Sequence, residues 1–256
     1  MSIRKYIATC ILTVAALCLS STAAAEELHP FMDTSRPSKP LDIGVHVGLG
    51  VSTQIQNYAS AVPGCADFHL SSGLQSAFGA TVEVPLRRYI AIGTGADFVI
   101  NNNSWAMTVI NSEPNTVSTL YCRNTYRAFE IPIYLSLRFN LGSRITWTNE
   151  GGMYFCFGTG GRSRITSYTA AVNQLGQQQV TRTRYDHPYY NADTPILNGF
   201  GRNDIGIHLA TGLQYLRRWT LKAVMRYGFK DVARNYGVLD VNVHNLAFSF
   251  RLGYTF

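Results

Sequence analysis

Ten ionisable residues stand on one face of segments that alternate in polarity every second residue. The acids are Glu83, Asp97, Glu130 and Glu150, the bases Arg138, Lys222, Arg226 and Arg251, and the imidazoles His46 and His208. Acids and bases in similar number neutralise one another when enclosed together, whereas a lone buried charge is very costly. The plainest chemistry for this set is a salt-bridged polar plug. The same groups would also suit a gated conduit or a proton-responsive network through His46 and His208, whose side chains titrate near neutral pH. Catalysis has weaker support. His187 follows Asp186 in YDHPYY, and Ser163 and Ser167 lie in the same stretch, but no His-x-Ser pair or nucleophile elbow accompanies them. His69 and His244 stand apart from any such set. The chain reads as a non-enzyme. It has no CxxC or His/Cys ligand spacing, so neither a metal centre nor a cofactor is expected. Two R-x-R pairs, Arg162/Arg164 and Arg182/Arg184, suit phosphate recognition through the guanidinium fork, or are a solvated loop.

The elements that must hold these residues are strands. In LDIGVHVGLGV (41–51) Leu41, Ile43, Val45, Val47, Leu49 and Val51 share one face, with Asp42, Gly44, His46, Gly48 and Gly50 on the other. That is a two-residue period, not a helical one. The pattern recurs over 74–86, 90–100, 129–139, 145–157, 205–215, 219–229 and 246–256. Eight segments of about ten residues match tilted membrane-crossing strands. Their connections alternate between tight turns, as at 87–88 and 217–218, and long stretches at 52–73, 101–128, 158–204 and 230–245. The prediction is an all-β fold: an eight-stranded antiparallel up-and-down transmembrane barrel with short periplasmic turns and long, mobile extracellular loops. The polar face collects glycines, which suits an interior just wide enough for side chains. Trp147 and Trp219 stand on the apolar face near the short-turn end, where they would form an aromatic girdle. Asn149 interrupts its apolar face beside Gly151, which predicts a bulge over 149–152.

Composition agrees with a sheet in lipid. Charged residues are 14% of the 256, against a usual ~25%. Aromatics reach 12%, and mean hydropathy is near zero. Outside the N-terminus no run approaches the ~18 apolar residues of a membrane helix. Residues 1–25 read as a signal peptide: Arg4 and Lys5, an apolar stretch from Ile7 to Leu19, then Ala23–Ala25. Residues 26–40, with three prolines, read as a periplasmic linker, and 41–256 as the barrel. The formal charge of +7 includes Arg4 and Lys5, so an exported chain still has a basic excess. Export disfavours nucleic acid as its counter-charge and favours outer-membrane lipid and lipopolysaccharide. Three cysteines follow the signal, and both Cys65 and Cys122 fall in long connections outside the cell, which predicts a disulfide between them.

The chain ends in LAFSFRLGYTF, with Phe248, Phe250, Leu252, Tyr254 and Phe256 at alternate positions. This resembles the C-terminal signal read by the barrel-assembly machinery. The segments EIPIYLSLRF (130–139), DIGIHLATGLQY (204–215) and MRYGFKDV (225–232) are similar to the outer-membrane barrel family common in Bacteroidetes, the PorT-like group. The resemblance implies fold and location, not activity. The expected protein is a monomer with a plugged lumen that serves binding, adhesion or envelope integrity, with an extracellular or envelope partner. The alternatives are a narrow gated pore, a component of a secretion or envelope-assembly apparatus, and a lipid-modifying barrel enzyme.

Overall fold

The structure is a computed structural model and describes residues 30–111, 116–172, 177–190, 199–234 and 241–256. The signal peptide expected at 1–25 and the first residues of the linker lie outside the described residues. The elements are β1 (Asp42–Gln56), α1 (Tyr58–Ala61), β2 (Cys65–Arg87), β3 (Ile90–Asn111), β4 (Thr116–Asn140), β5 (Ile145–Val172), β6 (Gln178–Pro188), β7 (Asn203–Tyr215), β8 (Trp219–Gly228) and β9 (Val243–Thr255). All ladders are antiparallel, and β4 pairs with β5 while β1 pairs with β9. The order β1-β2-β3-β4-β5-β7-β8-β9 therefore closes on itself as a ring of eight. A hydrogen-bonded row through Leu49 reaches β5 at Gly160 one way round and at Asn149 the other. The displacement is eleven residues, one of which, Thr159, is bulged out between Arg127 and Ala128. A shear of ten on eight strands makes the strands tilt by about 40°.

The long connections were expected as loops, yet in 52–73, 101–128 and 158–204 most of the length is strand. β2 to β5 run to 22–28 residues, and β3 and β4 stay in register as far as Asn111 and Thr116. The reason lies in the sign of the alternation. Next to lipid the outward residues are apolar, as with Phe98 and Phe129. Farther along β3 and β4 the outward residues are Asn102, Ser104, Arg123 and Thr125, and the inward ones are Trp105, Met107, Leu120 and Cys122, all buried. Above the membrane the outer wall meets water and the core is inside, so the two faces exchange character. β6 is the ninth strand and lies in the stretch 158–204; it pairs with the upper part of β5 alone.

Two further expectations are corrected. No bulge occurs at 149–152, where β5 is in unbroken register with both β4 and β7. Asn149 remains on the outer face because Thr211 donates to its Oδ1 at 2.9 Å, and Trp147 Nε1 donates in turn to Thr211 at 3.0 Å. Cross-strand bonding satisfies the polar group without displacing backbone. Nor is there a Cys65–Cys122 disulfide: Cys65, Cys122 and Cys156 are free. Cys65 pairs with Val109 and Cys122 with Trp105, two strands apart and four residues different in height. That offset is about 13 Å along the strands, beyond the ~7 Å Cα limit of a disulfide.

The outer wall carries the apolar belt: Leu49 is 63% and Phe250 58% exposed, while Asp97 inside is 0% exposed. At the short-turn end Phe139 lies 5.7 Å from Trp147, and Trp219 packs edge-on to Tyr254 at 5.0 Å, which in turn meets Phe256 at 5.3 Å. Phe31 of the N-terminal segment stacks on Phe139 at 4.9 Å. That segment is pinned along the rim by Asn140 N donating to Phe31 O and Arg88 N donating to Ser35 O, and by the Arg88–Asp33 ion pair at 3.2 Å.

Candidate functional site: the filled lumen

The lumen is filled in layers, and tilted strands set the height of each side chain. Nearest the short turns, Arg138 of β4 donates to Asp42 at 2.9 Å and also bonds Glu83 of β2. Tyr134 Oη donates to Glu83 at 2.9 Å. Its ring lies over Gly93, where an added Cβ would run into it, so any larger residue there would displace the ring. Lys222 of β8 bonds Glu150 and lies 3.9 Å from Glu83.

The next layer joins every remaining member of the ten. His208 Nε2 lies 3.3 Å from Glu150, and Arg226 Nε donates to His208 Nδ1 at 3.3 Å. Arg226 then bonds Glu130 and reaches Asp97 at 2.5 Å. Arg251 meets the same Asp97 oxygen at 2.5 Å, and His46 Nε2 lies 2.8 Å from the other oxygen. Asp97 is thus the hub, held by Arg226, Arg251 and His46. The Arg226 guanidinium also sits over the Tyr154 ring, 5.6 Å from its centroid. Charge-assisted bonds of this kind satisfy groups that would otherwise be stranded without water.

Above the charges lies a layer of amides, and above that an apolar cap. Gln54, Gln75, Asn101, Asn103 and Asn124 are buried. Asn124 Nδ2 donates to Asn103 at 2.8 Å, Ser163 donates to Asn124 at 2.7 Å, and Gln54 donates to Tyr189 Oη at 2.6 Å. The cap gathers Trp105, Met107, Leu120, Ile165, Tyr189, Phe200, Val232 and Val243. Tyr189 stacks on Tyr126 at 4.4 Å and on Phe200 at 4.5 Å. Burial here pushes the Cys122 thiol up to about 12. Phe200 N donates to Tyr189 O at 3.0 Å, so Tyr189 and Phe200 sit together in the mouth as part of the cap.

Sequence reading alone does not assemble Asp42, Tyr134 and Asp204 into this network. Asp42 and Asp204 share the inward parity of their strands, which is the signal that finds them. Asp204 accepts from Asn245 at 2.9 Å and from Tyr154 Oη at 3.4 Å. The cap residues fall where the alternation has exchanged faces.

On the outer wall the serine–histidine–acid set does not converge. Asp186 and His187 point to opposite faces of β6, and Asp186 is engaged by Arg162 at 2.7 Å, Arg164 at 3.1 Å and Arg184 at 3.8 Å. Those bonds, from Arg164 first, hold its carboxyl below the usual range. Ser163 faces inward, bonded to Asn124. Among the described residues no cluster of His, Cys, Asp and Glu has the geometry of a metal site.

Several solved structures are similar to this chain. OprG of Pseudomonas aeruginosa is 10% identical, with 89% of this chain and 99% of that one covered and a TM-score of 0.43. Ail of Yersinia pestis is 11% identical, with 84% and 98% covered and a TM-score of 0.33. The Neisserial surface protein NspA is 12% identical, with 84% and 97% covered and a TM-score of 0.31. No curated protein matches the chain in sequence. The family described as "Outer membrane protein beta-barrel domain" matches residues 31–234, most of the ring and of the layers it encloses. An eight-stranded ring with an apolar outer belt and a charged interior, matched over that length, belongs to the outer membrane protein beta-barrel domain family and resides in the bacterial outer membrane.

Proposed function

We propose that this protein is a non-conducting barrel that anchors a rigid extracellular β-sheet for binding, adhesion or envelope integrity, rather than a pore or an enzyme. The observation that carries the reading is the sequence of layers in the lumen: crossing charges, then amides, then an apolar cap closed by Tyr189 and Phe200. A hydrated ion passing through would have to break paired charges and then cross a dry aromatic layer, which is unfavourable twice over. The second supporting feature is the height of the wall. β3, β4 and β5 continue well past the belt, and β6 adds a further strand to them. Sheet ladders give such a platform the rigidity that a loop lacks.

The narrow-pore alternative has one observation in its favour. Cavities of 60 Å³ among Glu83, Arg138, Glu150 and Lys222, and of 130 Å³ beside Lys39, Arg88 and Arg217, open the periplasmic half to a few waters. Membership of the PorT-like group is part of the same proposal and rests on EIPIYLSLRF, DIGIHLATGLQY and MRYGFKDV; a monomeric barrel is proposed with it. Liposome swelling tests the reading. Vesicles carrying the purified barrel should shrink and stay shrunken in arabinose, as protein-free vesicles do; re-swelling faster than those controls would favour the pore.

A further inference from the structure

The outer wall above the belt is strongly and unevenly charged. On one face of three neighbouring strands stand Arg123 and Arg127 of β4, Arg162 and Arg164 of β5, and Arg182 and Arg184 of β6. The one acid among them is Asp186, which already faces three guanidiniums. Arg182 lies over Tyr168, 5.7 Å from its centroid. Arg123 and Arg127 are exposed and have no acidic partner among the described residues. Arg123 and Arg164 are direct cross-strand partners. Like charges placed opposite each other destabilise a sheet, and Asp186, shared among three guanidiniums, leaves this pair with positive charge in excess.

The position of the ladder decides which anion. Arg127 is the next outward residue on β4 after Phe129, the last apolar residue of the belt, so it stands at the hydrocarbon rim. Arg164 lies six ladder positions above Phe157 on β5, about 15 Å along the membrane normal for strands with this tilt. The cations therefore climb without a gap from the lipid boundary to the height of a glycolipid headgroup and its first sugars. At the upper end the wall is hollowed into a groove of 340 Å³ lined by His69, Ser71, Ser104, Tyr121, Arg123 and Arg164. Two guanidiniums, an imidazole, two serine hydroxyls and an aromatic ring are donors and a stacking surface for a phosphorylated sugar.

We infer that this face holds the phosphorylated headgroup of lipopolysaccharide from the protein's own outer leaflet, with Arg123 and Arg164 chelating a phosphate in the groove. The inference deepens the reading of the chain as a binding platform and rests on it. A free polyanion from outside the cell would not need cations at the hydrocarbon rim, whereas a lipid-anchored phosphate must approach along it.

The test is binding of rough-type lipopolysaccharide to the detergent-solubilised full barrel, beside the same lipopolysaccharide stripped of phosphate. The variants are Arg123→Gln, Arg123→Gln/Arg164→Gln, and Lys230→Gln on another flank as control. Among the described residues Arg123 has no counter-ion, so its loss breaks no ion pair there, and unchanged heat-modifiability verifies folding of every variant. The double variant should bind the phosphorylated form roughly tenfold more weakly, Arg123→Gln should fall between, and Lys230→Gln should match the wild type. Raising salt should weaken wild-type binding more than that of the double variant. Equal binding by wild type and double variant, equal binding of the stripped lipid by wild type, or capture of heparin without lipopolysaccharide would each overturn the assignment. None of these outcomes bears on conductance, so the binding-platform reading stands or falls separately.

Discussion

Arg226 of β8 and Asp97 of β3 stand on strands four places apart in either direction round the ring, and they meet at 2.5 Å. A bond across the full width of a closed sheet does what no ladder bond does: it ties opposite walls together. Arg251 joins from β9, His46 from β1 and Glu130 from β4, so five of the eight ring strands converge on one point. The network crosses the lumen and braces the barrel.

That arrangement predicts an asymmetry in mutational cost. Arg226→Met leaves Glu130 buried without its cation and should destabilise the barrel by about 3–5 kcal/mol. Arg226→Met/Glu130→Gln removes both charges and leaves Asp97 with Arg251 and His46, and should cost less than the single change. Urea unfolding in micelles, followed by tryptophan fluorescence, measures both. A double variant as unstable as the sum of its singles would show that the pair is not coupled.

The wall assignment makes a second prediction at two neighbouring residues. Leu135 is outward and near the middle of the belt, while Ser136 is buried inside. Leu135→Arg should cost about 2–4 kcal/mol through the lipid. Ser136→Arg should act by crowding the Tyr134 and Glu83 layer, and thicker or thinner bilayers should leave its effect unchanged. Equal tolerance of Arg at Leu135 and at exposed Lys230 would contradict the assignment.

Much of this fold is legible in the chain because lipid imposes a strict two-residue period. All eight ring strands are marked by it, and so is the inward parity of the ten ionisable residues. What the period hides is equally instructive. Above the belt Trp105 and Leu120 turn inward while Ser104 and Arg123 turn outward. The alternation persists with its sign reversed, so a search for an apolar outer face ends too early and leaves wall to be taken for loop. The one-residue bulge at Thr159 shifts parity again on β5. The hub role of Asp97 depends on which strands face each other across the ring, and that follows from closure and shear, not from local pattern.

The cysteines give a third prediction. Cys65 is half-buried at the start of β2, while Cys122 and Cys156 are buried. A maleimide should label Cys65 in the folded barrel and all three after denaturation, with no reducing agent needed. Mass spectrometry of unreduced protein that shows two hydrogens fewer would indicate a disulfide and contradict the offset between Cys65 and Cys122.

The closing seam gives a fourth. Phe256 N donates to Ile43 O at 2.9 Å, and Lys39 Nζ donates to Phe256 O at 3.0 Å. The last residue thus fastens β9 to the start of β1 and to the N-terminal segment. Deleting Phe256 should leave export intact and lower the yield of heat-modifiable barrel in the outer membrane. Normal abundance of the truncated protein there would count against both the seam and the expected recognition by the assembly machinery.

Single-channel recording in a planar bilayer decides whether the lumen is closed, as proposed. The wild-type barrel at 1 M salt (a condition that screens weak surface effects) should give no steady current above the bare-membrane baseline in either polarity. Arg226→Met/Glu130→Gln should remain silent as well, because Tyr189 and Phe200 still cap the mouth. A steady, stepwise conductance from wild-type protein of verified heat-modifiability would contradict the account and put the pore first.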